Sequence, residues 1–308
     1  MKSARPIFII GAPRSGTSIT TWALGQHPNI QPMPETAWIA SMAVGGYLSH
    51  HKGSERGRYS HLSNVGFPLA PFMERIGAAV DDIVHDVYVE RCQQLYGPGV
   101  QATDWQLTSR QSEHPMHIRR AGAEPKRRWI DGTPLNTFYV AALVKLFPEA
   151  SFIHNLRRPD EVATSLEGFD RVGAAPQALE EGLNTWIAHT DNAWHAERAL
   201  GRARAFRLDF NRIAGEPESL FRELCDFLGE AFAPECLLPL QRKLNSSDVD
   251  ATKREHNLRL LRGNAVFQRA QAVYDAVRRR PADAQPEIAA QEVLEQRLRD
   301  YCHDRSIV

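Results

Sequence analysis

The sequence predicts an α/β protein: an open, mostly parallel sheet flanked by helices, with a P-loop-like strand-loop-helix and a helical insertion. Three observations carry that expectation. The apolar run Pro6 to Ile10 leads straight into a glycine loop, GAPRSGTS, Gly11 to Ser18. From Arg128 onward, short β-branched or aromatic runs alternate with longer helical patterns. Residues 41–126 interrupt that alternation.

Pro6 to Ile10 fits a buried parallel strand, which needs no polar face. A helix from Thr17 to Leu24 follows the loop, closed by Gly25 and Pro28, and Asn29 to Met33 forms a second strand ending at Pro34-Glu35-Thr36. Gly45 to Pro71, rich in Gly, Ser and His, has no sustained period and is expected to be a long loop. Phe72 to Leu95 is expected to be an amphipathic helix, with Ile76, Val80, Ile83, Val84, Val87 and Tyr88 near helical spacing, whereas Gly97 to Lys126 is polar and irregular. Then come a strand at Arg128–Asp131, a helix at Leu135–Phe147 and a strand at Ser151–Leu156. A helix opened by Pro159, a long helix over 178–200, a strand at Ala205–Asp209 and a helix from Pro217 to Gly229 complete the alternation. The pattern is that of one domain over 1–308, with an insertion at 41–126 and a charged helical segment at 235–308.

Composition excludes some partners. Lys plus Arg and Asp plus Glu number 37 each among 308 residues, so no global field draws nucleic acid or an acidic membrane. Cys92, Cys225, Cys236 and Cys302 lie far apart without a CxxC pair, against a zinc cluster or dithiol site and in keeping with a reducing compartment. The apolar stretch near the N-terminus is too short for a signal peptide, and no segment approaches the roughly 20 apolar residues of a membrane span. A cytoplasmic protein is expected.

A glycine turn between strand and helix points several backbone N–H groups at one spot, where the helix dipole favours an anion. Ser15, Thr17 and Ser18 add hydroxyls around Gly16, and Arg14 adds a cationic fork suited to oxyanions. A nucleotide kinase or NTPase would place a lysine where Thr17 stands and a magnesium carboxylate at a strand end. The lysine is missing, and the strand Ser151–Leu156 ends in Arg157-Arg158, leaving Asp131 as the remaining magnesium candidate. A second cationic strand end points to a second phosphate.

These residues resemble the sulfotransferases that use 3′-phosphoadenosine 5′-phosphosulfate (PAPS). IFIIGAPRSGTS is similar to their 5′-phosphosulfate loop, and LRRPDEVATSL, Leu156 to Leu166, to their 3′-phosphate motif, with Arg157 and Ser165 in the two matching positions. The resemblance reaches from about Ile7 to Gly229. It implies transfer of a sulfuryl group to an acceptor hydroxyl of a small molecule, carbohydrate or peptide, with release of PAP and no metal. Arg14 takes the position that stabilises the leaving phosphate. Such enzymes use a histidine or a glutamate as base. PMPETAWIA is similar to the branch with a Glu-Thr pair after the second strand, which includes tyrosylprotein sulfotransferases, and implies Glu35. His50, His51 and His61 are rival bases if the insertion forms a lid over the acceptor, and His27 reads as a packing or capping residue. A PAPS sensor without catalysis is the remaining alternative.

The sequence departs from the family in three places. DGTP, Asp131 to Pro134, has Gly132 where relatives carry lysine, so Arg127 or Arg128 is expected to supply the charge. Phe210 stands where many relatives have a tyrosine near the adenine, and is either a stacking partner or plain core. Lys253-Arg254 are the candidates for the basic segment that closes the nucleotide site, Arg254 foremost.

Overall fold

A computed structural model describes residues 4–96, 104–107, 116–119, 126–168, 175–241, 251–281 and 284–303. It contains β1 (Ile7–Ile10), α1 (Thr17–Gly25), β2 (Ile30–Pro32), α2 (Trp38–Lys52), α3 (His61–Asn64) and α4 (Leu69–Tyr96). After these come β3 (Asp104–Leu107), β4 (Met116–Arg119), β5 (Arg128–Asp131), α5 (Val140–Leu146), β6 (Ser151–Leu156), α6 (Pro159–Glu167), α7 (Leu179–Leu200) and β7 (Ala205–Asp209). The rest is helical: α8 (Asn211–Gly215), α9 (Pro217–Leu228), α10 (Ala251–Leu261), α11 (Ala265–Arg279) and α12 (Ile288–His303).

Among the described residues, five strands form a parallel sheet in the order β2-β5-β1-β6-β7. The central strand β1 has no exposed residue, and its side chains alternate between two cores. Phe8 and Ile10 pack with α2, α4, α5, α7 and α12 on one face, while Ile7 and Ile9 pack with α1 and α9 on the other. A third cluster joins α6 and α7 to α11. The expected α/β architecture is therefore present, and the strands at β1, β2, β5, β6 and β7 fall where the apolar runs place them.

The insertion differs from expectation. Residues read as a long loop continue α2 to Lys52, followed by a 3-10 turn at Gly57–Tyr59 and by α3. Glycine would ordinarily weaken that helix. Here α4 passes so close that a Cβ on Gly46 would lie 3.0 Å from Ile76 Cδ1 and 3.1 Å from Met73 Sδ. The glycine marks a helix contact, not a break. Within the stretch expected to be irregular, β3 and β4 pair antiparallel, and 97–103, 108–115 and 120–125 lie outside the described residues. The helix expected at Leu135–Phe147 divides into a 3-10 turn, Pro134–Phe138, and α5, because Asn136 and Thr137 turn back to bond the sheet edge.

One buried charged group ties β6, β7 and α7 together. Glu197 receives His154 Nδ1 at 2.9 Å and Arg207 Nε at 3.0 Å, and Arg207 Nη2 also bonds it. Burial alone would raise its pKa, but the hydrogen bonds and charges of His154 and Arg207 outweigh burial and hold it at about 2. A depressed carboxylate stabilises the fold above its unfolded pKa, near 4.5, and loses that contribution as pH falls towards 2. Glu197→Gln is expected to cost about 3 kcal/mol near neutral pH, since it strands the Arg207 charge. In urea melts across pH, the gap from the parent should shrink below pH 4.5. A gap constant with pH would show that the carboxylate charge is not what matters.

Candidate active site

Parallel strands present all their C-terminal ends on one edge, where ligands bind open α/β sheets. In spatial order that edge carries Glu35 after β2, Asp131 at the end of β5, the glycine loop after β1, Arg157 after β6 and Phe210 after β7. Residues 175 positions apart in sequence, Glu35 and Phe210, thus bound one surface.

The loop is held by its own bonds. The Ser15 amide and hydroxyl both donate to Ala12 O, at 3.1 and 2.6 Å, and Gly11 N donates to Thr137 Oγ1 at 2.9 Å. Gly11 has φ +135°, and a Cβ there would lie 2.5 Å from Asn155 O. Gly16 has φ +99°, and a Cβ would lie 2.3 Å from the Phe210 ring. Both positions therefore require glycine. Arg14 adopts φ 65°, unusual for a residue with a side chain, which turns the loop between them. Thr17 is buried at the start of α1, while Ser18 is exposed.

The two anion motifs meet directly. Arg14 Nε donates to Ser165 Oγ at 3.0 Å, and Arg157 Nη1 donates to Arg14 O at 3.1 Å. Phe210 lies under the Arg157 guanidinium, 4.6 Å from ring centroid to Cζ, as well as against Gly16. It is thus part of the site wall. Burial and the nearby Arg157 charge lower the pKa of Arg14. Two neighbouring cations beside a loop of N–H donors would gain from an anion between them. Arg254 Nε bonds Asp160 at 2.9 Å and its Nη2 lies 3.1 Å from Glu161, while Lys253 pairs with Glu167. Glu161 also accepts from Arg157 Nε at 3.0 Å. The basic pair of α10 is therefore moored to α6, with Glu161 linking Arg254 to Arg157.

The opposite end of the edge is acidic and is organised by Asp131. This fully buried carboxylate accepts from Thr133 N at 2.9 Å, Thr133 Oγ1 at 2.5 Å, Thr36 Oγ1 at 2.7 Å and Asn136 Nδ2 at 2.8 Å. Thr36 N in turn donates to Thr133 Oγ1 at 2.8 Å. The Glu-Thr turn is thereby pinned to β5. Four donors occupy Asp131, which leaves the kinase alternative without the magnesium candidate it had. Glu35 stays solvent-accessible beside a cavity of about 300 Å³, and partial burial followed by the Asp131 charge raises its pKa. Sequence reasoning missed Thr133, Asn136 and Thr137, although the polar run DGTPLNT after an apolar strand was a visible signal.

Other expected residues lie elsewhere. Arg128 begins β5 and Arg127 precedes it, so both stand at the wrong end of the strand for the charge missing at Gly132. Arg128 is buried, bonding Arg5 O, Leu228 O and Glu230. Gly132 itself presses on α1, where a Cβ would meet Thr21 Oγ1 at 2.3 Å. His50 bonds Phe67 O at 3.0 Å, His51 is exposed near the end of α2, and His61 lines a separate groove between α3 and α4. None of the three lines the cavity beside Glu35. His27 is a packing residue, bonding Ala231 O and Asn29 N. Among the described residues no group of three His, Cys, Asp or Glu side chains is placed to hold a metal, and no helix is long and apolar enough to cross a membrane.

An anion loop and paired guanidinium groups at one end of a parallel sheet edge, with a carboxylate at the other, suit a transferase of an anionic group. The chain belongs to the Sulfotransferase family, whose model matches residues 6–234. An uncharacterised protein of Aquifex aeolicus is 27% identical over 235 residues, 73% of this chain and 25% of that protein. The omega-hydroxy-beta-dihydromenaquinone-9 sulfotransferase Stf3 of Mycobacterium tuberculosis is 25% identical over 50% of this chain and 40% of its own length. The chain thus spans well under half of the curated relatives it matches. Among solved structures, a sulfotransferase from Alicyclobacillus acidocaldarius is 18% identical over 94% of this chain and 99% of that one, with a TM-score of 0.46. The sulfotransferase domain of the Synechococcus PCC 7002 olefin synthase is 17% identical over 96% of each chain, with a TM-score of 0.45.

The loop geometry makes a direct prediction. Gly11→Ala forces a side chain into a left-handed conformation and against a backbone carbonyl, so a loss of about 1–3 kcal/mol is expected from strain alone. Chemical denaturation measures it, and an unchanged midpoint would show that the loop adopts another path.

Proposed function

We propose that the chain transfers the sulfuryl group of PAPS to an acceptor hydroxyl and releases PAP. The observation that carries this reading is the contact of Arg14 with Ser165 and of Arg157 with the Arg14 carbonyl, which brings the glycine loop and the β6–α6 segment together. In this reading the loop N–H groups, Thr17 and Ser18 receive the 5′-phosphosulfate, and Arg14 faces the bridging oxygen. Arg157 and Ser165 take the 3′-phosphate, with Phe210 beside the adenosine. Ser15 shapes the loop, since its hydroxyl proton is engaged with Ala12 O. Arg254 acts at one remove, through Glu161.

The acceptor oxygen attacks sulfur in line, the bond from sulfur to the 5′-phosphate oxygen breaks, and its electron pair leaves with PAP. Arg14 and the loop N–H groups stabilise the charge that develops there. Glu35 takes the acceptor proton, and its raised pKa brings it closer to the operating pH, as general-base catalysis requires. The reaction needs no Lewis acid in principle, because the leaving phosphate is already stable. The kinase alternative finds no support in Asp131, whose four hydrogen bonds leave it committed to the protein.

The whole chain is taken as one functional unit, with 41–126 on the acceptor side and 235–308 supporting the nucleotide side through α10. Cys225, Cys236 and Cys302 are buried free thiols, which supports a reducing, cytoplasmic setting.

Glu35→Gln is expected to reduce turnover by about 10²–10⁴-fold, the usual contribution of a positioned base, with PAP affinity retained in calorimetry. Near-normal turnover would remove Glu35 as the base, and tight PAP binding by the parent without transfer to any acceptor would favour a sensor. Arg157→Ala should weaken PAP far more than adenosine 5′-phosphosulfate. Equal weakening of both would show that Arg157 does not read the 3′-phosphate.

A further inference from the structure

We propose that the acceptor hydroxyl is borne by an apolar body, a fused aromatic or aliphatic alcohol, which lies in the cavity beside Glu35; the inference rests on the sulfotransferase reading above. The cavity, about 300 Å³, is lined by Met33, Pro34 and Trp38 from the β2–α2 turn and by Val84, Val87 and Tyr88 of α4. Glu35 is the one charged residue among its described lining residues. That volume sits at the small end of pockets for organic ligands, about 300–1,000 Å³. Apolar surface left open to water here gains about 25 cal/mol for each Å² a ligand covers.

Polar atoms in the wall are few and mostly engaged. The Thr36 hydroxyl donates to Asp131 and its amide to Thr133. Gln31 donates its Nε2 to Pro32 O at 2.8 Å. Gln31 is 3% exposed, and its Oε1 has no hydrogen-bond partner among the described residues. The Glu35 carboxylate is therefore the charged position that the lining offers the reacting hydroxyl, while Gln31 Oε1 is itself shut off from the cavity. A monosaccharide would bring several hydroxyls against the apolar surfaces of Met33, Trp38 and Val87, and those it buried there would lose water without replacement. An alcohol on a ring system or alkyl chain loses nothing there.

The transfer step is unchanged: the acceptor O–S bond forms, the bond from sulfur to the 5′-phosphate oxygen breaks, and the acceptor proton passes to Glu35. What the cavity adds is selection. Val87 serves the test because its side chain lines the cavity while the residue is 62% exposed, so substitution leaves the core intact.

The experiment titrates 2-naphthol and, separately, N-acetylglucosamine into the full chain and into Val87→Gln by calorimetry, alongside PAP. Naphthol should bind the parent saturably and at least tenfold more weakly to V87Q, with PAP affinity equal in both and no heat from the sugar. Incubation with PAPS should yield naphthyl sulfate by mass spectrometry. Naphthol binding that is absent, or equal in parent and variant, overturns the assignment of the cavity, as does preferential binding of the sugar. If PAP fails to bind but V87Q still weakens naphthol, the nucleotide reading falls and the apolar site stands.

Discussion

The constraint on which the site depends is the parallel alignment of five strands. Parallel strands cannot alternate direction, so every strand-to-helix connection leaves from the same edge. The consequence is that the connections after β2, β5, β1, β6 and β7 lie side by side, each delivering one part of the site. An antiparallel strand at any of these places would send its residue to the opposite edge. Arg128 illustrates the point, because its position at the start of β5 leaves a strong cation on the far side, bonded to carbonyls near α9.

Along that edge the charges are segregated. Arg14 and Arg157 share the end built from β1 and β6, where burial and mutual repulsion lower the pKa of Arg14. Glu35 and Asp131 share the other end, where burial and the Asp131 charge raise the pKa of Glu35. The protein holds like charges together at each end, an arrangement that costs free energy in the absence of a ligand. Asp131 makes this possible on the acidic side by accepting four hydrogen bonds, and Glu161 does so on the basic side by accepting from Arg157. Both carboxylates act on the site through the groups they hold in place.

Local backbone geometry is subordinate to the same purpose. Gly11 and Gly16 admit the close approach of Asn155 and Phe210, and Arg14 between them takes a conformation that side chains seldom adopt. Such positions persist only where surrounding bonds determine them, and Thr137, Ala12 and Arg157 supply those bonds. The 3-10 turn after β5 exists in part because Thr137 must reach Gly11 and Asn136 must reach Asp131. The loop after one strand is thus locked by the loop after its neighbour.

The sequence by itself determined the sheet strands, the glycine loop and the cationic end of β6, because each is written in a contiguous run of apolar, glycine or cationic residues. Pro6 to Ile10, Ser151 to Leu156 and Ala205 to Asp209 needed only local pattern to be placed, and Arg157 and Ser165 only their spacing. The tertiary structure alone decided the rest, since it depends on pairs distant in the chain. Gly46 falls in a Gly-, Ser- and His-rich run that reads as loop until Met73 and Ile76 are seen packed against it. Asp131 stands at a strand end as the one magnesium candidate left to the kinase alternative until Thr36, 95 positions away, is found donating to it. The cavity beside Glu35 is lined by α4, whose periodicity announced an amphipathic helix but not that Val80 and Val84 would be buried while Ile83 and Val87 stay exposed.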